Sequence, residues 1–244
     1  MYRKRKEWLR RAAIYILAGI VIVFLILYFS TDQAGAVKAK ENDLHIKPET
    51  FNQEYRNKRG QVRLILAYQY PNISGKYEGI DKINCRYITM FSNWLRDQEE
   101  LVAAVPNDLQ TDARYGNEVS YMVTYNKNSI ISVLFEGYLY TGGAHGMPYR
   151  NQLTLSLDTG NEVQLTNILN RSEEEIKQLV DEAFFKKIDS QKDLYWENAK
   201  GIVEKTTYAE LKYYFTEEGI VFYYDPYILA PFAGGFIEAL VKYE

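Results

Sequence analysis

The sequence predicts an α+β fold: a mostly antiparallel sheet, two main helices, and one transmembrane helix ahead of them. Three observations carry that reading. Apolar residues alternate in short tyrosine-rich runs from Val62 to the C-terminus, two stretches shift to a spacing of three and four, and one run near the N-terminus has no charge at all. The 244 residues are 47% hydrophobic, enough for a real core in one medium domain or two small ones.

The elements follow in order. Residues 1–11, "MYRKRKEWLRR", form a basic stub with six Lys/Arg against Glu7. Residues 12–29, "AAIYILAGIVIVFLILYF", hold twelve Ile, Leu, Val or Phe. Their insertion into a bilayer is worth about 4 to 7 kcal/mol, and the run is just long enough to span one. By the positive-inside rule the stub stays in the cytoplasm and the body lies outside, so the expected location is the cell membrane, with a single pass. A cleaved signal peptide competes, because Ala34-Gly35-Ala36 has the small-x-small form of a signal-peptidase site. The apolar run is longer than a typical signal core, and "STDQ" separates it from that site, so the anchor is favoured. Residues 30–58 are polar, of mixed charge and without period. They read as a stalk, with a short strand near Leu44 to Ile46 and a surface histidine, His45.

The body opens with "QVRLILAYQYP", an alternating strand that Pro71 ends, then a loop to Gly79. Ile80, Ile83, Tyr87, Phe91, Trp94, Leu95 and Val102 predict a helix over 79–104, closing before Pro106 and packing Cys85 as a small apolar residue. "EVSYMVTYN" and "SIISVLFEGYLY" form a hairpin turning at Lys127-Asn128. After a glycine loop come "NQLTLSLD", a turn at Thr159-Gly160, and "NEVQLTNIL". Ser172 caps a helix to Ile188, with Glu173, Glu174 and Glu175 in its first turn. A last hairpin joins Leu211–Phe215 to Ile220–Tyr224. "DPYILAPFAGG" is a structured loop before the final strand, "FIEALVKY".

Charge and composition exclude several functions. Beyond the stub, the chain has 23 basic against 31 acidic residues, which argues against nucleic acid as a partner. One cysteine excludes an internal disulfide and a cysteine zinc site. The body has one histidine beyond the stalk, His145 in "YLYTGGAHGMPYR", and no HExxH, GxSxG or paired-histidine motif. No catalytic residue, metal or cofactor is therefore assigned. Glycines on both sides of His145 suit a backbone with positive φ or a close approach, so a structural turn leads and a ligand-contact loop comes second. The candidate binding set is Tyr140, Thr141, Gly142, Gly143 and His145, together with Tyr227 from the Asp-Pro-Tyr loop. The other strand tyrosines, Tyr138, Tyr213, Tyr214, Tyr223 and Tyr224, read as sheet packing.

"YTGGAHG", "LTLSLDTGNEVQLTNIL" and "YYFTEEGIVFYYDPYILAPFAGGFIEALVKY" resemble the extracytoplasmic domain of the RsiV anti-sigma-factor family. That domain is related to ones accompanying PdaC-type peptidoglycan deacetylases. "YPNISG" with Ile83-Asn84 resembles the smaller companion domain that precedes it. The resemblance implies a companion region at 59–114 and a larger α+β domain at 115–244. It also implies an envelope partner, either a lysozyme-like protein or wall peptidoglycan, and release by signal peptidase at Ala34 and Ala36. A stub of 11 residues departs from the family's sigma-binding segment. The competing class is a peptidoglycan-active enzyme or its accessory module.

Overall fold

The computed structural model describes residues 41–103 and 114–243. The predicted span at 12–29, with Ala34 and Ala36, lies outside the described residues. Among the described residues no helix is long and apolar enough to cross a membrane. The architecture is α+β, with a five-stranded and a three-stranded sheet.

Strand β1 (Leu44–Arg56) pairs antiparallel along its length with β2 (Val62–Gly75). Folded structure therefore reaches into the 30–58 segment read as stalk, and His45 sits exposed on a strand. Lys47, Glu49, Glu54 and Arg56 hid this strand, because an edge strand tolerates charges along its length. Asn42, 7% exposed, fastens the start of the region. Its side-chain amide donates to the Ile130 carbonyl at 2.9 Å, and its oxygen accepts from the Ser129 N–H at 2.8 Å.

Strand β2 also runs past Pro71, which faces Pro48 across the ladder. Directly opposed prolines fit a pair that exchanges no N–H donors. On its other side, β2 pairs parallel with β3 (Tyr115–Lys127) only from Leu64 to Tyr68. A parallel pair needs a crossover, which helices α1 (Ile80–Asp97) and α2 (Glu99–Ala103) supply. Where β3 has diverged, Asn84 of α1 takes its place. Its side chain accepts from the Ile73 N–H at 2.9 Å and donates to the Ile73 carbonyl at 2.8 Å.

Strands β4 (Ile130–Tyr140) and β5 (Met147–Ser156) complete the first sheet, in the order β1-β2-β3-β4-β5. The β3–β4 turn is Asn128-Ser129, both at positive φ, one residue later than expected. The sheet runs unbroken across the boundary expected between 114 and 115. Helix α1 covers its inner face through Ile83, Tyr87 and Trp94, against Leu64, Leu66, Tyr68, Val133 and Phe135. Burial of each such side chain contributes about 1.5–3 kcal/mol. Cys85 points the other way and is exposed, so it is not the packing residue expected.

The stretch 161–169, continued above as a run after the turn, folds into the short helix α3 (Leu165–Leu169). Helix α4 (Glu173–Ser190) starts at a capping box in which Ser172 and Glu175 satisfy each other's backbone N–H. Ile176, Val180, Phe184 and Ile188, four apart, make its buried stripe. Helix α5 (Ala199–Lys205) is an element the sequence reading missed. Strands β6 (Lys212–Phe215), β7 (Gly219–Tyr224) and β8 (Ile237–Lys242) form the second sheet. Phe215, Ile220 and Phe222 close a core with α4 and α5.

The two sheets are joined by buried polar contacts. Ser132 bonds Thr154 at 2.9 Å and accepts from the Phe215 N–H at 3.1 Å. The adjacent Tyr223 and Tyr224 alternate as expected, but this sheet is covered on both faces. Tyr223 donates to Gln152 of β5 at 2.9 Å, while Tyr224 packs edge-on to Phe184 of α4.

Candidate functional site

The β4–β5 connection, residues 141–146, is shaped by its glycines. Gly142 and Gly143 have φ of +96° and +95°, which side chains with a Cβ rarely adopt. Tyr140 donates its hydroxyl to the Gly143 carbonyl at 2.9 Å, and Tyr138 accepts from the Gly146 N–H at 2.8 Å. The loop is thus tied to the strand that precedes it, and Thr141 stands exposed at its start.

His145 is held on that rigid loop rather than buried. Its Nδ1 lies 2.9 Å from the Gly146 carbonyl, a contact made by a ring that carries its proton on Nδ1. The Tyr227 hydroxyl, from a segment 82 residues away, points at Nε2 from 3.5 Å, a long contact. The imidazole stacks on Phe232, with centroids 3.9 Å apart and planes 18° from parallel. Phe232 in turn meets Tyr227 at 5.5 Å. Tyr227 has φ of +70°, unusual for a bulky residue, and its carbonyl accepts from the Trp196 indole at 3.1 Å. Tyr227 and Trp196 are 45% and 41% exposed, with Ile228 and Leu194 exposed beside them.

The fold therefore brings His145 and Tyr227 together, with Tyr140, Gly142 and Gly143 holding the loop. Phe232 and Trp196 complete the patch. The sequence reading assigned neither, because both lie outside any periodic element. Among the described residues the ring's partners are a carbonyl, a hydroxyl and an aromatic face, with no carboxylate. Among the described residues, no three His, Cys, Asp or Glu side chains cluster to hold a metal ion.

A second polar cluster supports the loop's strand. Arg150 of β5 donates to Glu136 of β4 at 2.7 and 2.8 Å and to Glu238 of β8 at 2.5 Å. Its guanidinium lies 4.0 Å from the Phe236 ring centroid. Burial alone would lower the Arg150 pKa, but Glu238 and Glu136 outweigh it and raise it. Tyr214 donates to Glu238 at 3.1 Å, and burial pushes its pKa up to about 12.

Comparison with known proteins divides the chain in two. Residues 58–148 match the family model described as Deacetylase PdaC, and residues 164–244 match Protein of unknown function (DUF3298). The chain thus carries a PdaC domain followed by a DUF3298 domain. The first match runs through the expected boundary at 114/115, as the first sheet does. No curated protein matches the chain. Among solved structures it is similar to a DUF3298-family protein from Bacteroides fragilis, with 18% identity and a TM-score of 0.55, covering 83% of this chain and 92% of that one. It is also similar to a DUF3298-family protein from Pseudomonas aeruginosa, with 15% identity and a TM-score of 0.56, covering 81% of this chain and 91% of that one. At such identities the likeness establishes the shared fold.

Proposed function

We propose that the chain is an extracytoplasmic binding and sensing protein of the cell envelope, of the RsiV type. Residues 12–29 anchor it in the cell membrane, with the N-terminus cytoplasmic and the body outside. Its partner is an envelope component, either a lysozyme-like protein or wall peptidoglycan. The observation that carries this reading is the exposed aromatic patch of His145, Phe232, Tyr227 and Trp196, locked by its own contacts before any ligand arrives. Rigid aromatic side chains provide contact area at low entropy cost and dominate interface energetics. Release by signal peptidase at Ala34 and Ala36 is the outcome of engagement under this proposal.

The enzyme reading draws support from the description Deacetylase PdaC attached to the first match. The neighbours of His145 favour display over catalysis, because among the described residues nothing acidic orients the ring as a base. The test is a binding titration of the full-length protein with lysozyme, and separately with soluble peptidoglycan fragments. Tyr227→Ala and Trp196→Ala should each weaken binding by about tenfold or more. Turnover of peptidoglycan fragments, lost on His145→Ala, would put the enzyme reading in its place.

A further inference from the structure

The second sheet ends on an open strand. Among the described residues β8 pairs with β7 alone, so one long side of it has no neighbouring strand. Two bonds on β6 tell which backbone groups face that side. The Phe215 N–H donates to Ser132 of β4, away from β7. The Thr216 N–H donates to the Gly219 carbonyl at 2.9 Å, so Gly219 turns its backbone groups toward β6. Bonded and non-bonded pairs alternate along an antiparallel ladder. Gly219 therefore exchanges no bonds with Lys242 opposite it, and the bonded partners of β7 are Val241, Ala239 and Ile237. The N–H and C=O groups of Glu238, Leu240 and Lys242 then point to the open side. Their side chains share the face opposite the α4 core, where Leu240, 37% exposed, stands between an acid and a base. The α3–α4 turn stands off from the end of the strand, with a cavity of about 410 Å³ between it and residues 241–243.

We infer that β8 is a dimerisation edge, pairing antiparallel with β8 of a second copy of this chain about a dyad at Leu240. Two three-stranded sheets thereby join into one of six strands. The strand's own sequence selects this occupant, because a two-fold interface must be complementary to itself. With the dyad at Leu240, Leu240 meets Leu240, and Glu238 of each copy meets Lys242 of the other. Ala239 meets Val241 between them. A dyad one residue away, at Ala239 or Val241, sets Leu240 against Glu238 or Lys242 instead. A dyad at Glu238 or Lys242 sets like charges face to face, which opposes pairing. Arg150 and Tyr214 both bond Oε1 of Glu238, leaving Oε2 for the lysine of the second copy. Natural edges are commonly blunted by proline or irregularity. The outer edge strand β1 carries Pro48, in a pair that turns its backbone groups outward, whereas β8 has neither a proline nor a break in register. The inference uses no residue of the aromatic patch and stands without it.

The test is sedimentation equilibrium of the full-length protein in detergent micelles, at concentrations up to about 100 μM, since so short a strand pair makes a small, weak interface. A monomer–dimer equilibrium is expected. Leu240→Pro withdraws the N–H at the dyad and leaves the ladder with β7 intact, because that N–H faces outward. Lys242→Glu sets two carboxylates opposite each other. Each variant should weaken dimerisation by about tenfold or more, with thermal melting confirming that it is folded. Cysteine cross-linking then reads the register, in a Cys85→Ser background that removes the native thiol. Leu240→Cys should form an intermolecular disulfide on oxidation, because a bonded pair holds its Cα atoms about 5.5 Å apart. Lys242→Cys should not, since four residues separate it from its own counterpart, about 13 Å along the strand. A protein monomeric throughout that range would overturn the proposal. So would a dimer that neither Leu240→Pro nor Lys242→Glu weakens, which places the contact elsewhere in the chain, or cross-linking that favours Lys242→Cys. Should Leu240→Pro fail to fold, Lys242→Glu and the two cysteine variants decide, because they change only exposed side chains.

Discussion

Replacing Arg150 by alanine should weaken the junction between the two sheets more than any other single surface-linked change. The Arg150 side chain is 13% exposed and bonds one carboxylate from each sheet. Removing one member of a buried ion pair costs about 3–5 kcal/mol, because its partner stays desolvated and unpaired. Here Glu136 and Glu238 keep 39% and 38% of their side chains in water. Rehydration therefore discounts the loss to about 2–3 kcal/mol. The contact over Phe236 adds about 1 kcal/mol. Urea unfolding at pH 7 should show a lower midpoint at unchanged slope. Arg150→Met combined with Glu136→Gln and Glu238→Gln should recover most of the loss, since an apolar replacement of the whole cluster leaves no charge behind. A deficit below about 1 kcal/mol at pH 7 would refute this account of the junction.

Other expectations follow from individual contacts. Asn84→Leu should cost about 2–4 kcal/mol, because it strands both the Ile73 N–H and its carbonyl; urea unfolding measures it, and a neutral result would mean water replaces the amide. Gly143→Val should cost about 1–2 kcal/mol from backbone strain alone, since no atom crowds the added Cβ. Gly143→Ala should cost nearly as much, and a melting curve distinguishes strain from bulk. Alkaline pH should destabilise the fold through Tyr213, whose pKa burial pushes up to about 12. The unfolded chain loses that proton near pH 10, so stability is full below pH 10 and falls by up to about 2.7 kcal/mol as pH approaches 12. Tyrosinate absorbance against pH, compared with unfolding at each pH, checks the window. Replacing Ala36 by a bulky residue should keep the chain full-length under all conditions, read by tags at both ends. A mature N-terminus at Val37 in unstressed cells would exclude the anchored form.

Local physics was legible where one periodic signal acted alone. The stripe of α4 and its capping box follow from four-residue spacing and a serine three residues before a glutamate. The β3–β4 hairpin follows from two alternating runs around Asn128. Elements defined by a pairing rather than by their own periodicity were not legible. Strand β1 alternates weakly and is charged, so only the ladder with β2 reveals it. Pro71 would break a central strand, and it is tolerated because β3 has already left that side. Asn84 reads as a polar residue on a helix until Ile73 appears opposite it. Cys85 falls among apolar residues in the sequence but outside the stripe in space.

The candidate patch shows the same division between what one segment encodes and what pairing creates. Glycines marked the His145 loop, and Asp-Pro marked Tyr227, yet no spacing links residues 82 apart. His145 falls in the part matched by the PdaC family, while Trp196, Tyr227 and Phe232 fall in the part matched by DUF3298. The stack of imidazole on Phe232 therefore exists only where the two domains meet. Arg150 lies between the matched ranges and ties Glu136 of the first to Glu238 of the second. Neither matched segment alone carries the surface, since one supplies the histidine and the other the rings that hold it. A binding function built on that patch requires both domains in one chain, with the junction through Arg150 and Ser132 fixing the distance between them. On this reasoning the glycine loop is shaped to deliver His145 to the second domain, which accounts for both the positive φ at Gly142 and Gly143 and the exposure of the ring.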